Sequence, residues 1–248
     1  MSRKGLLVTA GVIAFLVFLV ALVPATVMTR WLPPGVAVAG LEGTVWSGRA
    51  SGVNLQGRAI GSVSWFCRPW SLLVLEWSCR VELQPSGGQL SVALSGDFDD
   101  GEIEARDLTG NLPIDFFEGI VTPAGWTGRL ELDVTRARIA DGLPQDAEGK
   151  LVVRSLKAPG SGGALLGDFE LTIGEGAVGT GTLTGRLSDL GGPLRVRGTI
   201  ELKPDRSYFV SGEVAPGPGA GPAIFDTLGF LGPPDTTGRR PFTVEGTL

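Results

Sequence analysis

The chain has 248 residues, no histidine, two cysteines, and 26 acidic against 21 basic side chains. Without histidine it lacks the usual serine–histidine and cysteine–histidine nucleophile pairs, the commonest zinc ligand and the most frequent acid–base group. The 39 glycines and 17 prolines favour many turns and few long helices.

From Gly5 to Met28 there is no charged side chain. At about 1.5 Å of rise per residue, a helix over this stretch reaches roughly 30 Å or more, the thickness of a bilayer's hydrocarbon core. One transmembrane helix is expected over 5–28, with Arg3 and Lys4 holding residues 1–4 in the cytoplasm. A cleaved signal peptide is the rival, since Val23, Pro24 and Ala25 offer a small residue for cleavage. The apolar run is longer than the roughly 7–15 residues of a signal core, and Trp31 after Arg30 suits an interfacial anchor. Retention in the membrane is therefore expected, with 31–248 exported to the far side, in the periplasm. Removing Arg3, Lys4 and Arg30 leaves 18 basic against 26 acidic residues, a formal −8 for that part. This balance opposes nucleic acid and anionic headgroups as partners.

Cys67 and Cys79 both fall in the exported part, where an oxidising periplasm favours pairing. The sequence leaves open either a disulfide or two small buried thiols. A metal site is not expected from two cysteines and no histidine.

Beyond the first helix the dominant signal has period two. Leu130, Leu132 and Val134 alternate with Arg129, Glu131 and Asp133, which predicts a strand with one buried and one wet face. The pattern recurs at Leu90, Val92 and Leu94, at Phe169, Leu171 and Ile173, and at Leu194, Val196, Ile200 and Leu202. It returns at Tyr208, Val210 and Val214, and at Phe242, Val244 and Leu248. Glycine-led tripeptides mark strands at Gly43, Gly61, Gly181, Gly198 and Gly246 without a fixed repeat period. Glycine within strands permits bulges. The expected fold is all-β with one N-terminal transmembrane α-helix: a curved, mostly antiparallel, glycine-rich sheet with short covering helices. Three segments break the alternation, Pro69–Leu75, Leu112–Ile120 and Ala220–Leu231; the last predicts a short helix ended by Gly232-Pro233-Pro234. If the periplasmic part divides into halves, they meet near 140–163, at Ala140–Gln145 or Pro159–Gly163.

Candidate chemistry is sparse. Asp97, Asp99, Asp100, Glu102 and Glu104 surround Gly101 but lack the spacing and terminal glutamate of a calcium loop, so they read as a solvated turn. Glu131 and Asp133 sit two apart on a wet face, and an enzyme built on them is the remaining catalytic reading. Pro159–Gly163 lacks the lysine and hydroxyl ending of a phosphate loop. Arg239 and Arg240 read as edge-strand charges that discourage aggregation. Trp46, Trp65, Trp70 and Trp77 cluster early, most as packing and some as candidates for an exposed contact surface.

Four blocks together carry a family resemblance. Leu41-Glu42-Gly43-Thr44-Val45-Trp46-Ser47-Gly48-Arg49-Ala50 resembles the opening motif of the type II secretion system protein N family (general secretion pathway protein N). Ser64-Trp65 followed by Arg68-Pro69-Trp70-Ser71-Leu72-Leu73 is similar to its tryptophan, proline and double-leucine segment. Gly185-Arg186-Leu187-Ser188-Asp189-Leu190-Gly191-Gly192-Pro193-Leu194 and Phe230-Leu231-Gly232-Pro233-Pro234-Asp235 are similar to its C-terminal blocks. The order matches from the anchor to Leu248, and the two cysteines are not part of the pattern. The resemblance implies a non-enzymatic inner-membrane component of the pathway that exports folded periplasmic proteins across the outer membrane. It implies no catalytic residue and no cofactor, and other inner-membrane secretion proteins as partners. A second resemblance, to AsmA-like envelope proteins, would make the curved sheet a groove that binds lipid.

Overall fold

The computed structural model describes residues 3–97, 101–118, 124–159, 163–174 and 182–247. It opens with helix α1, Arg3–Ala21, followed by a 3-10 helix, Ala25–Trp31. The helix expected over 5–28 therefore stops at Ala21. Pro24 is extended, at φ −71° and ψ 146°, and a proline there has no N–H with which to continue the helical ladder. Every side chain described from Gly11 to Leu22 is exposed. Among the described residues, no helix is long and apolar enough to cross a membrane. Trp31's side chain lies outside the described residues.

Among the described residues thirteen strands follow: β1 Val36–Gly43, β2 Ser47–Leu55, β3 Arg58–Cys67, β4 Glu76–Gln84, β5 Gln89–Asp97, β6 Ile103–Pro113 and β7 Thr127–Ala140. Then come β8 Leu143–Lys157, β9 Leu165–Ile173, β10 Leu183–Asp189, β11 Leu194–Leu202, β12 Ser207–Pro216 and β13 Arg240–Thr247. Sheet order is chain order, and the described pairs are antiparallel. Glycine-rich sequence gives this topology its means, because antiparallel neighbours need only a short turn between them.

The chain forms two compact units that divide at β5: Met1–Ser86 with Leu94–Phe98, and Gly87–Ala93 with Asp99–Leu248. In the first, β1 to β4 pair in succession, with a register shift between Ala50 and Val53 where Gly52 lies. Cys67 stands directly opposite Cys79, and the structure joins their sulfurs. The cross-link matters here because, among the described residues, the unit's buried apolar side chains are small: Ala25, Ala50 and Pro85. A disulfide restricts the unfolded chain and typically stabilises by about 2–4 kcal/mol.

In the second unit β7 and β8 form a long hairpin whose tip is Asp141 and Gly142, so Ala140–Gln145 is a turn within paired strands. Of Pro159–Gly163, residues 160–162 lie outside the described residues, as do Gly181, Ile120 and Leu248. Alternation places Phe169, Val196 and Val214 on one face, where they are buried together with Ile224 and Leu228. The last two belong to helix α2, Pro222–Gly229. Pro222 suits the first turn, whose N–H has no helical acceptor, and residues four apart share a helix face. α2 is thus the short covering helix that Ala220–Leu231 predicts. Leu112, at a predicted break, instead lies in β6 and is 2% exposed; the break comes one step later, at the 3-10 helix Ile114–Phe117.

Candidate functional site

The opening motif builds a clasp around the end of α1. Gly43 ends β1 at φ +93°, a left-handed conformation that a side chain would strain. The chain then turns at Thr44, Val45 and Trp46 into β2. Thr44 holds this turn: its Oγ1 accepts from the N–H of Trp46 at 3.3 Å and of Ser47 at 3.2 Å. Its own N–H donates to the Ser47 carbonyl at 2.9 Å.

The turn is fixed at three points to the last turn of α1 and the residues just after it. The Trp46 indole N–H donates to the Val20 carbonyl at 2.8 Å, and the Val45 N–H to the Val23 carbonyl at 3.0 Å. Thr44 forms an isolated antiparallel bridge with Pro24. The Val20 carbonyl lies in the last turn of α1 and accepts also from the Val23 N–H at 3.4 Å, so the indole adds a second donor at the helix end. Trp65 braces the turn from β3, its indole N–H shared between the carbonyls of Thr44 at 3.3 Å and Val45 at 3.2 Å. The Trp65 ring lies against Gly48, where a Cβ would stand 2.6 Å from Trp65 Cζ2. Gly43, Thr44, Trp46, Ser47, Gly48 and Trp65 are therefore one assembly. The helix carbonyls that complete it are backbone atoms, which no side-chain pattern could reveal.

The other blocks shape turns. Asp189 Oδ1 accepts from the Gly191 N–H at 3.1 Å and Oδ2 from the Val196 N–H at 3.2 Å. Its side chain is 10% exposed and faces Arg195 Nε at 3.6 Å. Gly191 and Gly192 take positive φ, and the Pro193 carbonyl accepts from the Gly217 N–H at 2.8 Å. Leu187 packs against the apolar cluster. In the last block, Gly232 at φ +90° offers its carbonyl to Arg240 Nε at 2.8 Å, joining the exit of α2 to β13. Pro233 and Pro234 are exposed beside it. Asp235 closes the next turn by accepting from the N–H groups of Thr237 and Arg239. Pro69 begins a 3-10 helix, Pro69–Val74, between β3 and β4.

Of the carboxylates weighed for chemistry, Glu102, Glu104 and Glu131 are paired on the surface, and Asp97 and Asp133 are exposed. Glu131 meets Arg154 Nε at 3.5 Å, and Glu104 meets Arg106 at 2.7 Å. Glu102 lies 4.0 Å from Arg138, while Asp99 and Asp100 fall outside the described residues. Arg239 faces Glu213 at 3.7 Å, which gives it an ion-pair partner on the neighbouring β12. Such exposed pairs contribute at most about 1 kcal/mol each. Among the described residues, no three His, Cys, Asp or Glu side chains are grouped to hold a metal.

Asp168, which sequence reasoning did not single out, is the pivot of the β8–β9 pairing. It accepts from the Ser155 N–H at 2.8 Å and from Arg154 Nη1 at 3.2 Å, beside a register shift in β8. The Ser155 amide, with Arg154 after it, holds the Asp168 carboxyl below the usual aspartate range. Hydroxyl and amide donors do the same for Asp205, through Ser207, and for Asp235, through Thr237 and Arg239. A carboxyl depressed by folding stabilises the folded state above its unfolded pKa of about 3.9. That contribution disappears as pH falls through the depressed value. Thermal scans are expected to show Asp168→Asn melting below the parent at pH 7, with the gap closing as pH drops below about 4. A gap that stays constant down to pH 2 would contradict this.

Serial antiparallel hairpins, turns fixed by side-chain caps and surface charges paired across strands define an antiparallel β-sheet protein with short helices. Comparison with known proteins makes this specific. The family model described as type II secretion system (T2SS), protein N matches residues 34–243, and the chain belongs to that family. It is similar to the type II secretion system protein N of Aeromonas hydrophila, 29% identical over 259 aligned positions covering 100% of both chains. It is also similar to the type II secretion system protein N of Vibrio cholerae serotype O1, 27% identical over 88% of this chain and 87% of the relative. No solved structure matches it. The chain is thus a component of the type II secretion system, with other proteins of that system as its partners.

Proposed function

We propose that this protein is a non-enzymatic, single-pass component of the bacterial inner membrane, anchored by α1 with its sheet in the periplasm. There it would assist the machinery that exports folded proteins across the outer membrane, by pairing an open sheet edge with another secretion component. The exposure of α1 supports the anchor: the described apolar side chains from Val12 to Leu22 all face outward, an arrangement that needs apolar surroundings. At about 1.5 Å per residue its 19 residues reach roughly 28 Å. The sequence carries no charge from Gly5 to Met28.

The observation that carries the partner role is the edge at β13. It pairs with β12, and β13 ends the strand order. Its first residues are guarded by Arg240 and by Pro241, which has no N–H to offer, so Phe242–Thr247 is the stretch suited to strand addition. Phe230, 91% exposed, lies on the α2 exit two residues before Gly232, whose carbonyl Arg240 at the start of β13 holds. An exposed aromatic on an element tied to an open edge is the kind of anchor that dominates interface energetics.

A photocrosslinker at Val244 in native membranes is expected to capture an inner-membrane secretion protein. Phe230→Ala should weaken that association about tenfold or more while leaving folding intact. Absence of any adduct from a correctly inserted protein would overturn the edge-pairing role. A lipid groove is the less supported reading, because Ile224 and Leu228 of α2 occupy the apolar face beside Phe169, Val196 and Val214.

A further inference from the structure

We propose that the connection between β3 and β4, Pro69–Val74 with flanking Phe66 and Leu75, is a second membrane contact that lies in the headgroup region of the bilayer crossed by α1. The inference rests on the anchoring role proposed for α1 and adds to it a lipid-facing surface on the exported unit.

Strand directions place the segment. The β1–β2 turn at Thr44–Trp46 and the β3–β4 connection lie at the same end of their strands, since Ser47 pairs with Phe66. That end is where the clasp holds α1. The Trp46 indole reaches the Val20 carbonyl, and the Trp46 carbonyl accepts from the Cys67 N–H at 2.6 Å. One residue therefore links the outer end of the helix to the strand that leads into Pro69. The β2–β3 turn at Gln56 and Gly57 lies at the opposite end.

The chemistry of the segment suits an interface. Trp70 is 75% exposed, Leu75 70% and Phe66 60%, and no charge occurs from Pro69 to Leu75. Leu75 sits at φ +61°, a conformation disfavoured for a branched side chain, yet the side chain so held is turned to the outside. Tryptophan is enriched at membrane–water interfaces, where an apolar ring and a polar N–H meet different surroundings. Arg68 and Glu76 bracket the segment and are exposed, which limits penetration to a shallow depth. Arg68, exposed at the base of the segment, is the side chain suited to meet lipid phosphates at that level. The clasp fixes the segment beside the helix end, and the disulfide between Cys67 and Cys79 holds its two strands together at its base.

The test uses the full chain in phospholipid vesicles, with its native disulfide oxidised and one added spin-labelled cysteine at a time. The positions are Leu75→Cys, Trp70→Cys, Gln56→Cys and Phe15→Cys. Relaxation by oxygen, which partitions into lipid, and by a water-soluble nickel chelate reports depth. The labels at Leu75 and Trp70 are expected to respond more to oxygen and less to nickel than the label at Gln56, with Phe15 deepest. If Phe15 reads as lipid while Leu75 and Trp70 match Gln56, the second contact is overturned and the anchor stands. If Leu75 and Trp70 are shielded from both reagents, protein covers the segment and the proposal also fails. An aqueous Phe15 label would overturn the anchoring role, and this inference with it.

Discussion

Leu112→Ala is expected to lower the unfolding free energy of the second unit by about 2–5 kcal/mol, the range for emptying a filled aliphatic site. Leu112 is 2% exposed, opposite Leu130 on β7, and its Cδ2 lies 3.0 Å from where Gly88 would carry a Cβ. Gly88 leaves room for this leucine, so its truncation opens space that neighbouring backbone cannot refill. For a unit of this size about 2–4 °C accompanies each kcal/mol, so the melting temperature should fall by roughly 4–20 °C. Thermal or denaturant unfolding of the detergent-solubilised full chain measures it. Phe230→Ala, at a side chain 91% exposed, is the reference and should stay within about 0.5 kcal/mol of the parent. Equal losses from both substitutions would refute the packing assigned to Leu112.

Gly48→Ala is expected to open the clasp. A Cβ at this position would stand 2.5 Å from the Glu42 carbonyl oxygen and 2.6 Å from the Trp65 ring. The carbonyl belongs to the paired β1 strand and cannot withdraw without breaking the hairpin. The ring can move, but only by giving up its indole bonds to Thr44 and Val45. Overpacking of this kind costs about 1–3 kcal/mol, and the turn that holds the α1 end loses its brace as well. The expected signature is a red-shifted tryptophan emission as Trp65 meets water, with new protease cleavage between Thr44 and Ala50. An unchanged emission maximum and cleavage pattern would show that Trp65 does not brace the turn. Trp65→Phe, which keeps an aromatic ring but removes the indole N–H and is smaller, should reproduce part of the cleavage without any clash.

The strands were legible because a two-residue period survives wherever one face is dry and the other wet. Arg129 to Val134 reads correctly as a strand for that reason, and Ile224 with Leu228 reads as a covering helix by its four-residue spacing. Leu112 was misplaced at a break because Pro113 follows it, and proline marks a strand end without telling which residue before it is still paired. Helix α1 ends at Ala21, three residues before Pro24. The apolar run continues to Met28, but composition does not register that Pro24 turns the chain.

The sequence by itself determined the class of the molecule: an apolar N-terminal helix, an antiparallel glycine-rich sheet, the absence of histidine chemistry, and motif blocks that resemble one secretion family. Those features are local, written in periodicity and residue type. Only the tertiary structure decided what the motif residues touch. That Trp46 seizes the Val20 carbonyl, that Asp168 receives the Ser155 amide, and that Trp70 and Leu75 share the helix end of the sheet all depend on strand register. Register brings together groups distant in the chain, several of them backbone atoms that are identical in every residue and therefore silent in a sequence.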